Sequence, residues 1–234
     1  MTRLLLLSNS TNHGAGYLDH AQDAVREFFG KARRLAFVPF ALKDRASYAA
    51  KAAARFEAWG FELGAITADA AGREALLAAE GVFVGGGNTF RLLRTLQWSG
   101  LLEALGERAR GGVPYMGASA GTNLACPTIR TTNDMPIVEP DGFEALGLVP
   151  FQINPHYLDA DPASRHMGET REERIREFLE ENECVVVGLR EGTWLRVEGA
   201  SCRLEGGSAR IFRRDAAPEE HAAGTSLDGL LRGA

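Results

Sequence analysis

Short apolar runs alternate along the chain with longer segments whose apolar residues recur every three to four positions. Residues 3–8, RLLLLS, form one unbroken run and predict a buried strand. Residues 17–29 then place Leu18, Ala21, Val25, Phe28 and Phe29 at helical spacing. RLAFVPF at 34–40 predicts a second strand, with an alanine-rich helix across 43–58. FELGAI at 61–66 reads as a third strand. GVFVGGG at 81–87 is a fourth, ending in glycines and followed by a helical pattern, FRLLRTLQW. VPYMG at 113–117 is a fifth.

Strand–helix alternation of this kind predicts an α/β fold with a mostly parallel central sheet. Right-handed crossovers put helices on both faces, giving three layers. Near-continuous apolar strands suit a sheet covered on both sides. After about residue 185 the spacing tightens. CVVVGL, TWLRV, SCRLEG and ARIFRR are short, close together and separated by Gly-rich turns, and they predict a late antiparallel meander at one sheet edge. No linker separates two patterns, so residues 1–234 are expected to form a single domain. The tail from Asp215 onward is weakly patterned and is expected to wrap the surface or fray.

Composition narrows the class. The 234 residues are 45% hydrophobic and 24% charged, which suits an ordinary globular chain. A net charge of −5 gives no electrostatic reason to expect nucleic acid. The apolar core of MTRLLLLSNST is too short for a signal segment, and no stretch reaches the ~18 residues of a membrane span, so a cytoplasmic location and no membrane partner are expected. Three scattered cysteines, Cys126, Cys184 and Cys202, form no CxxC pair and suggest neither disulfide framework nor metal site. Each is expected to be a small buried hydrophobe.

In open α/β sheets ligands gather beyond the carboxyl ends of the strands. Five polar groups hold such positions: SNST at 8–11, GGGNTF at 85–90, GASAG at 117–121, INPHY at 153–157 and LREG at 189–192. Gly117-x-Ser119-x-Gly121 between strand and helix has the nucleophile-elbow pattern, in which small neighbours let a sharp turn lift the serine oxygen. The same small residues would also serve a plain strand–helix corner. The Ala120 amide opens the following helix and can face a developing oxyanion. Gly85-Gly86-Gly87-Asn88 offers further backbone N–H groups, or a simple tight turn; it lacks a P-loop lysine.

His156 is braced by Pro155 after an apolar segment and is the candidate base. The other four histidines, His13, His20, His166 and His221, are expected to be solvated. Two acids compete to orient His156. Glu191 shares the strand-end placement of the serine and histidine and is favoured. Asp134, in TIRTTNDMPIV, would give the order Ser…Asp…His, also seen in serine hydrolases.

GASAGTNLACPTIRTTNDMPIVEPDGF, FQINPHY, GETREERIREFLE, VGGGNTFRLL and LLLLSNST together resemble the peptidase E family of cytoplasmic aspartyl dipeptidases, over nearly the whole chain to about residue 212. The resemblance implies a flavodoxin-like α/β/α fold related to class I glutamine amidotransferases and cyanophycinases. It implies serine chemistry on dipeptides with an N-terminal L-aspartate, without metal or other cofactor. By this resemblance Ser119 corresponds to the nucleophile, His156 to the base and Glu191 to the triad glutamate, while Asp134 matches an aspartate also given to the triad. Gly87 matches an oxyanion glycine, paired with the Ala120 amide. The segment between His156 and Gly168 departs from the family's spelling, which bears on the rim of the substrate site.

An aspartyl dipeptide presents an ammonium and carboxylates. Arg171, in GETRE, and Arg130, in TIRTT, are the candidate cations, and Asn88 is a further candidate contact. The partner expected is this small substrate, with a homodimer as the candidate assembly. Competing readings are a cyanophycinase-like hydrolase of β-aspartyl-arginine, a glutamine amidotransferase-like domain, which would want cysteine at the elbow, and a silent binding module.

Overall fold

The computed structural model describes residues 1–161, 163, 165 and 167–232. His166 lies outside the described residues. Among the described residues eleven strands and seven α-helices follow one another in an order set by the apolar runs. They are β1 (Arg3–Leu7), α1 (Gln22–Phe29), β2 (Arg34–Val38), α2 (Arg45–Glu57), β3 (Glu62–Ala65), α3 (Ala70–Ala78), β4 (Gly81–Val84), α4 (Thr89–Trp98), α5 (Leu101–Arg110), β5 (Tyr115–Ala118) and α6 (Ala120–Leu124). Then come β6 (Gln152–Asn154), α7 (Arg171–Glu181), β7 (Val186–Leu189), β8 (Trp194–Glu198), β9 (Ser201–Glu205), β10 (Ser208–Phe212) and β11 (Glu219–Ala222).

The main sheet runs β3-β2-β4-β5-β1-β8-β9. Its first five strands are parallel, and β8 and β9 close it as an antiparallel hairpin. Strand β1 is central, and its leucines divide by parity as a two-fold side-chain period requires. Leu4 and Leu6 enter one buried cluster with α4 and α5; Leu5 and Leu7 enter another with α1 and α2. Helices therefore cover both faces, as the pattern predicts. Strand β3 differs: it is the edge, and only Leu63 of its four residues is buried.

The late strands are antiparallel as expected but divide between two sheets. TWLRV and SCRLEG form the β8–β9 hairpin on the main sheet. CVVVGL and ARIFRR supply β7 and β10 of a second sheet, ordered β11-β10-β7-β6, in which β6 and β7 run parallel. The described part of the tail packs onto the fold: β11 pairs with β10, and Leu227 is buried beyond it. Helices α3 and α5 go beyond the elements expected. Among the described residues no helix is long and apolar enough to cross a membrane.

The β5–α6 corner shows why its residues are small. A Cβ on Gly121 would sit 2.2 Å from the Val84 carbonyl oxygen, and one on Gly117 would sit 2.4 Å from the Gly121 oxygen. Helix α6 is thus pressed against β4 and β5 at backbone distance. Gly121→Ala must push α6 away, so a loss of about 2–3 kcal/mol is expected, in the range of overpacked cores. A denaturant midpoint that stays at the wild-type value would contradict this.

Candidate active site

Ser119 takes φ 52° and ψ −108°, a region that side-chain-bearing residues avoid. Such strain costs about 1–3 kcal/mol and persists only where the surroundings enforce it. Here Ser119 N donates to the Leu7 oxygen at 3.0 Å, and Thr122 Oγ1 donates to the same oxygen at 2.6 Å. The Tyr115 hydroxyl donates to the Gly121 oxygen at 2.7 Å. The end of β1 and the start of α6 thus lock the turn, with the serine side chain above the carboxyl edge of the sheet.

Ser119 Oγ lies 3.1 Å from His156 Nε2, and His156 Nδ1 lies 2.8 Å from Glu191 Oε1. A carboxylate can only accept, so Nδ1 is the donor to Glu191 and Nε2 is the ring nitrogen that faces the hydroxyl. Serine, imidazole and carboxylate come from the ends of β5, β6 and β7, two of them on the second sheet. The junction of the sheets therefore sets the distances between the three side chains.

His156 also has a positive φ, 54°. Its amide donates to Ser8 Oγ at 2.8 Å, and Ser8 Oγ donates to the Leu189 oxygen at 2.9 Å. One hydroxyl at the end of β1 thereby bridges the histidine segment to β7. Asn9 does the same for the acid: its Oδ1 accepts from Gly192 N at 2.8 Å, immediately after Glu191. On the far side Arg190 pairs with Asp159 and Glu220, and this pairing holds the Asp159 carboxyl below the usual range. SNST marked this strand end in the sequence, but nothing local said that its partners lie about 150 and 180 residues away. Ser8→Ala should lower kcat about tenfold with little change in KM, since a lost buried hydrogen bond of ~1–2 kcal/mol here loosens the base and not the substrate. An equal fall in affinity and turnover would contradict that role.

The loop TIRTTND braces the same segment. Asn133 Nδ2 donates to the Pro155 oxygen at 2.7 Å, and Asn154 Nδ2 donates to the Thr131 oxygen at 2.8 Å. Asp134 is 45 residues from Thr89 yet caps α4 there: Oδ2 accepts from Thr89 N at 2.7 Å and Thr89 Oγ1 at 2.6 Å. Asp134 reaches the site cavity but Glu191 holds the bond to His156.

Gly87 has φ +133°, and a Cβ there would meet the Ala41 oxygen at 2.8 Å. Among the described residues neither the Gly87 nor the Ala120 amide has a protein acceptor. The neighbouring Gly86 amide is different, donating to the Tyr48 hydroxyl at 2.9 Å. A Cβ on Gly86 would be 3.2 Å from Ser119 Cβ, so the glycine turn and the serine are adjacent.

The three remaining candidates diverge. Asn88 caps α4, accepting from Arg91 N and donating to the Met135 oxygen, so both ends of its amide are engaged. Arg130 is exposed and lies over the Phe143 ring. Arg171 opens α7 and lines a neighbouring cavity with Asp159 and Arg174. Burial and Arg174 pull its pKa down, and Asp134 opposes that shift. Part of GETRE is explained by the helix start itself: Thr170 and Glu173 form a reciprocal capping box.

His20 departs from expectation. It is partly buried with both ring nitrogens unpartnered among the described residues, its ring 6.2 Å from that of Trp194, and burial lowers its pKa. His221 is also partly buried, near Glu219, while His13 is exposed. Cys126 and Cys202 are buried as expected, Cys184 less so, and burial pushes the Cys126 thiol up to about 12.

A hydroxyl, an imidazole and a carboxylate in series, with two open amides beside them above a parallel sheet, place the chain among the serine hydrolases of α/β architecture. More particularly, it belongs to peptidase family S51, whose description matches residues 4–205. It is 59% identical over 229 residues to "Peptidase E" of Streptomyces coelicolor, covering 97% of this chain and 94% of that one. It is 47% identical over 233 residues to a Drosophila melanogaster protein named "Probable alpha-aspartyl dipeptidase", covering 98% and 97%. The crystal structure of a peptidase from an acI-B1 actinobacterium superposes with a TM-score of 0.73 at 16% identity, over 97% of this chain and 96% of that one, and shares the fold.

Proposed function

We propose that this chain is a serine dipeptidase that hydrolyses Asp-Xaa dipeptides through an aspartyl-enzyme. The observation that carries the chemistry is the Ser119–His156–Glu191 series of hydrogen bonds at 3.1 and 2.8 Å. The substrate class rests on the names of the relatives, which favour α-aspartyl dipeptides over β-aspartyl-arginine.

In the first half-reaction Ser119 Oγ attacks the peptide carbonyl while its proton passes to His156 Nε2. The carbonyl electron pair moves onto oxygen, where the Gly87 and Ala120 amides receive it. Collapse of this adduct breaks the C–N bond, and His156 returns the proton to the leaving amine. Water then attacks the ester with His156 again as base, releasing aspartate and restoring the serine. Glu191 stays ionised and stabilises the imidazolium in both halves.

The test is direct. Purified protein should release free aspartate and leucine from Asp-Leu, and a serine-reactive organophosphonate should label Ser119. Intact Asp-Leu, or faster release from β-Asp-Arg, would defeat the proposal.

A further inference from the structure

The cavity over Ser119, about 630 Å³, is large enough for a dipeptide. Besides His156, three charged side chains line it: Asp44, Asp134 and Lys51. The two acids have structural work. Asp44 caps α2, accepting from Ser47 N at 3.0 Å, and Asp134 caps α4. Lys51 has none: among the described residues no carboxylate lies within ion-pair distance of its ammonium, which rests 4.8 Å from the centre of the Tyr17 ring.

Arg171 and Arg130 point elsewhere, the first into the neighbouring cavity and the second over Phe143. Among the described residues Lys51 is thus the lysine or arginine that lines the cavity with the nucleophile, while Arg171 lies near enough to feel the charge of Asp134 from outside it. Lys51 is also tied to the reacting centre through a short relay. Tyr17, under its ammonium, has its hydroxyl 3.5 Å from that of Tyr48, which in turn receives the Gly86 N–H beside the oxyanion turn. Tyr48 and Lys51 are three residues apart, so they share one face of α2.

We propose that Lys51 is a specificity-determining residue whose ammonium binds a carboxylate of the aspartyl dipeptide, orienting it with its scissile carbonyl at Ser119. This rests on the dipeptidase reading above. A zwitterionic dipeptide presents its ammonium and carboxylates to a cavity lined by Asp44, Asp134 and the ammonium of Lys51. The Tyr17 ring holds the lysine without neutralising it, as a cation–π contact does. The carboxylate belongs either to the aspartate side chain or to the C-terminus of the leaving residue, and both are the same ligand chemistry.

The experiment measures binding and turnover together. In Ser119→Ala protein, calorimetry gives the affinity for Asp-Leu, Asn-Leu and Asp-Leu amide, with and without Lys51→Met. Loss of a charge-assisted contact should weaken Asp-Leu by about 10- to 100-fold. The loss should vanish for Asn-Leu if the side-chain carboxylate is bound, or for Asp-Leu amide if the terminal one is. With Ser119 restored, Lys51→Met should raise KM for Asp-Leu far more than it lowers kcat, and Lys51→Arg should recover part of the loss. Equal weakening of all three ligands, or none, overturns the proposal. If Asp-Leu neither binds nor is cleaved by the protein with Lys51 intact, the dipeptidase reading itself has failed, which is a different result from a silent Lys51→Met.

Discussion

Ser119→Ala is expected to lower kcat on Asp-Leu by on the order of 10⁵–10⁶-fold, as removal of the nucleophile does in other serine hydrolases. The expectation is for chemistry alone. Ser119 Oγ has His156 as its hydrogen-bond partner, and the backbone bonds that lock the turn come from Ser119 N and Thr122, which the substitution keeps. Stability should therefore hold, and relief of nothing but the 3.1 Å contact should leave the fold unchanged. Residual hydrolysis above the uncatalysed rate would come from the Gly87 and Ala120 amides and from binding. The assay is product release from Asp-Leu alongside a denaturant titration. Turnover near wild type would remove Ser119 from the mechanism, and a collapsed midpoint would mean that the loss reports folding.

The elbow was readable because its demands are local. Gly117, Ser119 and Gly121 must be small within five residues of chain, and sequence displays that. Four of the first five strands were readable for the same reason: each is a run of apolar residues buried whichever strand lies beside it, whereas β3, at the edge, buries only Leu63. Pairing is non-local, so the late strands could be recognised as antiparallel but not apportioned between two sheets. The supports of the histidine were hidden by the same physics. Ser8 and Asn9 act across most of the chain, and Asn133 and Asn154 meet only because TIRTTND folds back over β6. Lys51 sits among alanines in the helix read across 43–58, and only the placement of α2 beside the glycine turn brings it to the cavity. For Arg171 and Arg130 the chemistry was reasonable and the positions differ from the cavity: Arg171 lines the neighbouring cavity and Arg130 lies over the Phe143 ring.

The choice between the two acids leads to the second large effect. Glu191→Gln should lower kcat by about 10³–10⁴-fold on every substrate, with KM little changed. The physical reason is tautomeric. Wild-type Glu191 accepts from Nδ1–H and leaves Nε2 free to take the serine proton. A glutamine can turn its NH₂ toward Nδ1, which moves the ring proton to Nε2 and removes the base. The imidazolium formed during attack also loses its counter-charge. The side chains of His156 and Glu191 are 41% and 54% exposed, so solvent can supply part of both roles, which argues for the lower end of that range. Asp134→Asn is the contrast. Its carbonyl oxygen can still accept from Thr89 N, so the α4 cap survives, and kcat should fall no more than about tenfold. If Asp134 also meets the substrate ammonium, the loss appears in KM for Asp-Leu and is absent for N-acetyl-Asp-Leu, which has no such charge. Steady-state kinetics of both variants on the two substrates separates these roles. A large, substrate-independent fall in kcat for Asp134→Asn with near-normal Glu191→Gln would move the orienting role to Asp134, against the 2.8 Å bond that now supports Glu191.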